Sequence, residues 1–174
     1  MKRPMINYAK NKKYDHFDTP EYAVKPLLPF VNSNAVVWEP TDTTGKSLIT
    51  KVLRKHGCKV ISTGQKKIDF LKDEPDFNFN CIITNPPYSL KNKFIDRCFY
   101  YTGYYQIKWA MLLPITALEG VERGIMFNNM GTDFGVLVLN RRVEFIGKSS
   151  WFNSSWFCYG LLPKQLAFAS LEKK

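Results

Sequence analysis

The segment Asn85-Pro86-Pro87-Tyr88 holds the residues of this chain that are best suited to chemistry, because it sets two hydrogen-bond acceptors on a stiff backbone. The side-chain oxygen of Asn85 and the carbonyl oxygen of Pro86 are both acceptors. Together they can bind both hydrogens of a planar –NH2 group, which draws its nitrogen toward sp3 geometry and returns the lone pair to it. The nitrogen then becomes a nucleophile without a His or Lys base, and the prolines preorganise the acceptors. Tyr88 adds a flat face on which a base can stack, worth about 1–3 kcal/mol. Taken alone, the same four residues could also form a structural turn.

Alternating strand and helix patterns surround this segment. Apolar runs predict strands at 35–38, 59–62, 81–84, 109–113, 135–139, 143–145, 157–159 and 166–168. Helical spacing predicts helices over 47–56, 91–101 and 118–128, and a short helix with Asp18 or Thr19 as N-cap and Pro20 in its first turn. This order predicts an α/β protein with a mostly parallel central sheet, helices on both faces and antiparallel strands at the C-terminal edge.

Three polar loops follow the first three predicted strands, at 39–45, 62–70 and 85–89. Ligands of such sheets bind beyond the C-terminal ends of the strands. We therefore expect the three loops to meet in one crevice.

Composition favours a single basic domain. The chain has 174 residues, 45% of them hydrophobic, and a formal net charge of +10. Residues 1–16 form a basic arm, and 17–174 are predicted to form one domain. An excess of positive charge of this size favours an anionic partner, most often nucleic acid, over a merely solvated basic surface.

Cysteine and histidine usage argues against a metal site. The four cysteines are widely spaced without a C-x-x-C pair, and His16 and His56 are the only histidines. This pattern predicts buried thiols in a reducing compartment, and no metal. The N-terminal stretch lacks the apolar region of a secretory signal, and no apolar run is long enough for a membrane span. A soluble cytoplasmic protein is expected.

The segment Asn85–Tyr88 after an apolar strand resembles the catalytic motif of class I S-adenosylmethionine-dependent N-methyltransferases. The nearest resemblance is to small phage-type N6-adenine DNA methyltransferases, and it extends over most of the chain after the arm. It is carried by FDTPEYAVKPLLPF, VWEPTDTTG, IDFL, NPPYSLKNKFIDRCF, WAMLLPITALEG, RRVEF and SSWFCYG. With the Thr-Pro element first, the motif order resembles the gamma subgroup. The resemblance implies a Rossmann-like fold and a location in a bacterium or a phage-infected host.

The resemblance also implies roles for single residues. Asn85 and Pro86 would hold the amine of an adenine flipped out of the duplex, Pro87 would fix the loop, and Tyr88 would stack on the base. The cofactor, S-adenosyl-L-methionine, would be bound by a second group. In that group Asp69 and Phe70 would contact its adenine, Glu39, Pro40, Thr41 and Gly45 would line its methionine part, and Thr19 and Pro20 would close over it.

Residues that would contact nucleic acid, expected to be double-stranded DNA, are Lys12, Lys13, Lys91, Arg141 and Arg142. The two arginines could equally be solvated charges. Glu39 could be a simple loop carboxylate, and Asp69 could cap a helix.

The cofactor loop departs from the family pattern at three places. Thr43 stands where a glycine is expected, and Lys46 stands where a small residue is common. The acidic residue that normally follows the second strand and binds the ribose is missing near 62–65. These departures leave one alternative open, a non-catalytic nucleic-acid-binding protein on a degenerate methyltransferase fold. The resemblance leaves two more, because the same loop serves RNA adenine methyltransferases and enzymes that methylate a release-factor glutamine amide. The positive charge disfavours the second of these, the protein substrate.

Removal of residues 2–13 should weaken DNA binding in a salt-dependent way, because it removes five cations: Lys2, Arg3, Lys10, Lys12 and Lys13. Each phosphate contact that is lost makes the slope of log K against log salt shallower by about 0.9. The measurement is DNA affinity across a salt series. An unchanged slope would show that the arm does not contact DNA.

Overall fold

The computed structural model describes residues 18–145 and 152–172, and within them seven strands form one sheet in the order β2-β1-β3-β4-β6-β5-β7. The strands are β1 Val36–Glu39, β2 Lys59–Ser62, β3 Cys81–Thr84, β4 Lys108–Pro114, β5 Phe134–Leu139, β6 Ser154–Tyr159 and β7 Leu166–Ala169. The first four are mutually parallel, β6 is antiparallel to both of its neighbours, and β7 is parallel to β5. A mostly parallel sheet is therefore confirmed.

The C-terminal third differs from the prediction in two respects. Antiparallel pairing is present, but β6 lies inside the sheet, and the edge strand β7 runs parallel to β5. The predicted strand at 143–145 is wrong. Val143 and Phe145 are buried in the core, which explains their alternating pattern, but the backbone of Glu144 bonds to the Tyr22 hydroxyl instead of a neighbouring strand.

Helices cover both faces of the sheet, as predicted. Their bounds are α1 Glu21–Val24, α2 Leu48–His56, α3 Gly64–Lys67, α4 Lys91–Tyr105 and α5 Val121–Asn129. Side chains of α1 and α2 join one core cluster, whereas those of α4 and α5 join a second. Strand residues alternate between the two: Leu112 and Trp156 face the first cluster, and Trp109, Met111 and Phe157 face the second.

Local chemistry accounts for the helix ends that position the site. Ser47 caps α2, its side chain accepting a hydrogen bond from the Thr50 N–H, and Gly57 ends the helix with a φ of 109°. Pro20 is the N-cap of α1, so it lies one position earlier than predicted, and Thr19 makes no cap bond. A 3₁₀ helix, Lys25–Phe30, continues α1 and contains Pro26 and Pro29.

All four cysteines are buried and none is in a disulfide, which confirms the prediction of buried thiols. Burial raises the pKa of Cys81 to about 12. In the described part of the chain, no helix is long and apolar enough to cross a membrane.

Thr43 and Gly64 bring the loops after β1 and β2 into contact. Gly64 has a φ of +60°, and a Cβ added there would lie 2.6 Å from Cα and Cγ2 of Thr43. The Thr43 side chain, which replaces the expected glycine, is therefore accommodated by a glycine on the neighbouring loop.

Gly64→Ala should destabilise the protein by roughly 2–4 kcal/mol, because it combines left-handed backbone strain with a clash against Thr43. Urea unfolding measures the loss. Gly103→Ala is the matched control: it lies in α4 with no atom within 4 Å of the added Cβ and should be neutral or stabilising by up to about 1 kcal/mol. Thr43→Gly in the Gly64→Ala background should recover only the side-chain part of the clash, because the Cα at position 43 stays 2.6 Å from the added Cβ. Equal effects of the two alanine substitutions would contradict the contact.

Candidate active site

A cavity of about 330 Å³ opens at the C-terminal ends of β1 and β3. It is lined by Asp18, Thr19, Glu39, Thr41, Asp42, Thr43, Thr44, Lys46, Ser47, Leu48, Ile49 and Asn85. This volume is within the range of small-molecule sites, and the position is where parallel sheets bind ligands. The expected convergence is thus seen for the loops after β1 and β3, together with the residues that precede α1.

Asn85 is buried at the end of β3, and its amide is held in one orientation. Its Nδ2 donates a hydrogen bond of 3.0 Å to Oγ1 of Thr19. The hydroxyl that was expected to cap α1 is therefore used to hold the candidate catalytic amide. This contact joins the Thr-Pro segment to the Asn85–Tyr88 loop, although the two are 66 positions apart.

Glu39 ends β1 and is 1% exposed. Its Oε1 accepts hydrogen bonds from Oγ1 of Thr84 at 2.7 Å, from Oγ1 of Thr41 at 2.8 Å and from the Thr41 N–H at 3.0 Å. Burial raises the pKa of Glu39 to about 7, although the hydrogen bonds from both threonines favour the ionised form. Because Thr84 directly precedes Asn85, this carboxyl connects the loop after β1 to the Asn85–Tyr88 segment.

Asp42 organises the loop after β1, a role that the sequence analysis did not predict. Its carboxylate accepts hydrogen bonds from the N–H groups of Thr44, Gly45 and Ser47 and from the Thr50 hydroxyl. Burial alone would raise the pKa of Asp42, but these hydrogen bonds outweigh it and hold the pKa well below its usual range. The signal was present as Asp42-Thr43-Thr44-Gly45, since Asp at the first and Gly at the fourth position are typical of a turn.

Tyr88 begins a 3₁₀ helix, Tyr88–Leu90, that starts with Pro87 as its N-cap. The ring is 8% exposed and lies edge-to-face with Phe152, with 5.2 Å between the centroids. The hydroxyl lies 3.2 Å from Oγ of Ser154 in β6. Pro86 is buried beside it, so packing as well as proline geometry fixes the loop.

The predicted adenine contacts, Asp69 and Phe70, do not line the cavity. The Asp69 carboxylate accepts a hydrogen bond from the Leu71 N–H and pairs with Lys72 at 3.5 Å, which is a turn-capping arrangement. Phe70 is 3% exposed and stacks on Phe94 with centroids 4.9 Å apart. Pro20, Pro40 and Gly45 adjoin lining residues without lining the cavity themselves.

Two of the predicted nucleic-acid contacts follow the C-terminal end of a strand, at the same end of the sheet as Asn85. Arg141 and Arg142 are exposed directly after β5, and Arg142 Nε donates to Oδ1 of Asn153, next to Phe152. Lys91 is half-buried, and its Nζ lies 3.4 Å from the carbonyl of Tyr88. Lys12 and Lys13 fall outside the described residues.

The residues after β2, where the ribose-binding acid was missing, are engaged within the fold. Ser62 Oγ lies 3.1 Å from Oγ1 of Thr50, and Thr63 accepts a hydrogen bond from the Trp38 indole at 3.0 Å. Nowhere in residues 18–145 or 152–172 do three or more His, Cys, Asp or Glu side chains come together as a metal site would require.

Comparison with known proteins shows the fold. No protein-family model matches the chain, and no curated protein does. A methyltransferase subunit of a type I restriction-modification system from Streptococcus thermophilus has a TM-score of 0.57 and 16% identity over 88% of this chain. A class I S-adenosylmethionine-dependent methyltransferase from Listeria monocytogenes, described as putative, has a TM-score of 0.58 and 13% identity over 94%. A type I restriction-modification structure has a TM-score of 0.52 and 11% identity over 95%.

This chain spans about half of the two restriction-modification proteins, 47% in each case, and 68% of the Listeria protein. At these identities the similarity establishes architecture alone. The chain has the Rossmann-like fold of class I methyltransferases.

Glu39 should make the stability of the ligand-free protein fall as pH rises. Its pKa is about 7 in the folded state against an ordinary value of 4.5, so its contribution is fully present below pH 4.5 and is lost as pH rises through 7. That difference corresponds to roughly 3 kcal/mol. Glu39→Gln should remove this component of the pH profile of urea unfolding, whereas Glu119→Gln, an exposed control, should retain it. Parallel profiles for Glu39→Gln and the unaltered chain would refute the assignment.

Proposed function

We propose that the chain is an S-adenosylmethionine-dependent methyltransferase that acts on the N6 amine of adenine in DNA. The observation that carries this proposal is Asn85, a buried amide in the lining of the cavity whose nitrogen is held by Thr19. The bond from Nδ2 to Thr19 sets the orientation of the amide, and Oδ1 is its acceptor atom, the one suited to a substrate N–H.

The polar side chains that line the cavity suit this cofactor. Glu39, Asp18 and several threonine hydroxyls form an acidic, hydroxyl-rich lining, which favours the positive sulfonium and ammonium groups. Bound there, S-adenosylmethionine would supply an electrophilic methyl group. Glu39, Thr41 and Thr19 would hold its methionine part. The capping role of Asp69 and the core position of Phe70 leave the adenine end of the site to other residues.

The catalytic loop would act by orienting the amine. Asn85 and the Pro86 carbonyl would accept hydrogen bonds from its two N–H groups and so direct the nitrogen lone pair toward the methyl group. Rigid acceptors are effective because no reorganisation is needed in the transition state. Burial of both residues provides this rigidity.

Tyr88 would stack on the target base, for which one ring face must be open. In the ligand-free fold Tyr88 is 8% exposed and in edge-to-face contact with Phe152, so a flipped base would reach the Tyr88 ring only when this packing opens. The extrahelical base would thus be admitted between the loop after β3 and the segment before β6.

Three observations support DNA as the substrate. The chain carries a net charge of +10, and Arg141 and Arg142 are exposed at the end of the sheet that holds Asn85, where the parallel strands end. Two of the similar folds belong to restriction-modification systems. Since this chain spans about half of those proteins, we expect sequence specificity to come from a short recognised site or from a partner.

The test is calorimetric titration with S-adenosylmethionine and S-adenosylhomocysteine, followed by mapping of N6-methyladenine in DNA and RNA incubated with the protein. Asn85→Ala should bind the cofactor within a few-fold of the unaltered chain but lose roughly 10²–10³-fold or more in methyl transfer. Asn129→Ala, an exposed control on α5, should retain both properties.

The possible outcomes separate the alternatives. Methylation of RNA alone would replace the substrate and keep the chemistry. Binding of DNA without binding of either cofactor form would refute the enzyme and leave a non-catalytic nucleic-acid-binding protein.

A further inference from the structure

Three backbone N–H groups of the loop after β1 donate hydrogen bonds to a side chain of the same loop. In many phosphate and carboxylate sites, consecutive backbone N–H groups of such a loop bind the anion of a ligand. Here the N–H groups of Thr44 and Gly45 donate to Oδ1 of Asp42 at 3.0 and 2.8 Å, and that of Ser47 donates to Oδ2 at 3.0 Å. An anionic ligand in this cavity must therefore be bound by another group.

Among the described residues that line the cavity, Lys46 is the cationic side chain available for that task. The ionisable lining residues are Asp18, Glu39, Asp42 and Lys46. Asp42 stays ionised and its carboxylate accepts hydrogen bonds from its own loop, and Lys46 is exposed. Within residues 18–145 and 152–172 the salt bridges are Lys72–Asp69 and Arg97–Glu74, so the Lys46 ammonium is in neither.

The backbone beneath Lys46 is held in place by its neighbours. Its N–H donates to Oγ1 of Thr44 at 3.1 Å, and Arg54 donates to the preceding Gly45 carbonyl at 2.9 Å. Gly45 has a φ of 69°, the left-handed conformation that directs the chain back toward α2. The long side chain thus starts from a fixed point in the cavity wall, so less entropy is lost when its ammonium binds an anion.

We propose that Lys46 binds the carboxylate of the α-amino acid part of the cofactor and makes the pocket selective for ligands that carry this carboxylate. The inference rests on the proposed function and assigns a role to a residue that departs from the family pattern. Asp42 and Lys46 are complementary in this assignment. The Asp42 carboxylate accepts the hydrogen bonds of the loop N–H groups, and Lys46 provides a positive charge in the lining of the cavity.

The test compares S-adenosylmethionine with decarboxylated S-adenosylmethionine, which keeps the sulfonium and the ammonium and lacks only the carboxylate. Calorimetry should show that the unaltered chain prefers S-adenosylmethionine by about tenfold. Lys46→Met should lose about tenfold in affinity for S-adenosylmethionine and bind the decarboxylated compound as well as before or better, because a positive charge near a dication has been removed. Lys46→Arg should keep the preference.

Lys51→Met is the matched control, since Lys51 is an exposed lysine of α2 outside the lining and its loss changes the net charge equally. It should leave both affinities unchanged, and thermal unfolding should show that each variant is folded. Equal loss of affinity for both compounds in Lys46→Met, or no loss for either, would overturn the role of Lys46 and leave the methyltransferase proposal intact. No binding of S-adenosylmethionine or S-adenosylhomocysteine to the unaltered chain would refute both proposals.

Discussion

The buried carboxyl of Glu39 is the interaction on which the rest of the site depends. Strands β1 and β3 are neighbours, and their C-terminal ends are connected by one oxygen that accepts hydrogen bonds from Thr41 on the first loop and Thr84 beside Asn85. The two hydroxyls also lie 3.0 Å from each other. The carboxyl therefore holds the loop after β1 and the loop after β3 in one relative position. The carboxyl is held at high cost in desolvation, which is why its pKa lies near neutrality and why a cationic ligand would favour its ionised form.

The opposite wall of the cavity is built by Thr19, which the short helix α1 holds in place. Helix α1 is anchored by the Trp156 indole, which donates to the Ala23 carbonyl at 2.7 Å, and by the Tyr22 hydroxyl at Glu144. Asn85 is thus positioned by three separated parts of the chain: the residues before α1, strand β3 and, through α1, strand β6. This explains how an amide, which is a weak functional group, can be given one orientation.

Charge is distributed unevenly around the site. The cavity wall is rich in carboxylates and hydroxyls, although the protein as a whole carries +10. A positive outer surface attracts a polyanion, whereas an acidic interior favours a cationic small molecule. Arg141 and Arg142 are exposed after β5, at the same end of the sheet as the cavity. Under the proposed function, this separation would suit a protein that brings a sulfonium cofactor to a nucleic acid.

Local signals in the sequence determined the order of strands and helices, the stiffness of Asn85–Tyr88 and the burial of the cysteines. These follow from periodicity, proline geometry and neighbouring apolar residues, which act over a few positions. Tertiary structure alone decided that β6 lies inside the sheet, that Glu144 bonds to the Tyr22 hydroxyl, and that Phe70 stacks in the core on Phe94. It also decided which partners two hydroxyls and two carboxylates bind. Thr19 accepts from Asn85, and Thr63 accepts from Trp38. Glu39 accepts from Thr84 on a neighbouring strand, and Asp42 accepts from N–H groups of its own loop. A polar side chain has the same local pattern whichever partner it finds, and partners tens of positions away become neighbours only when the sheet forms.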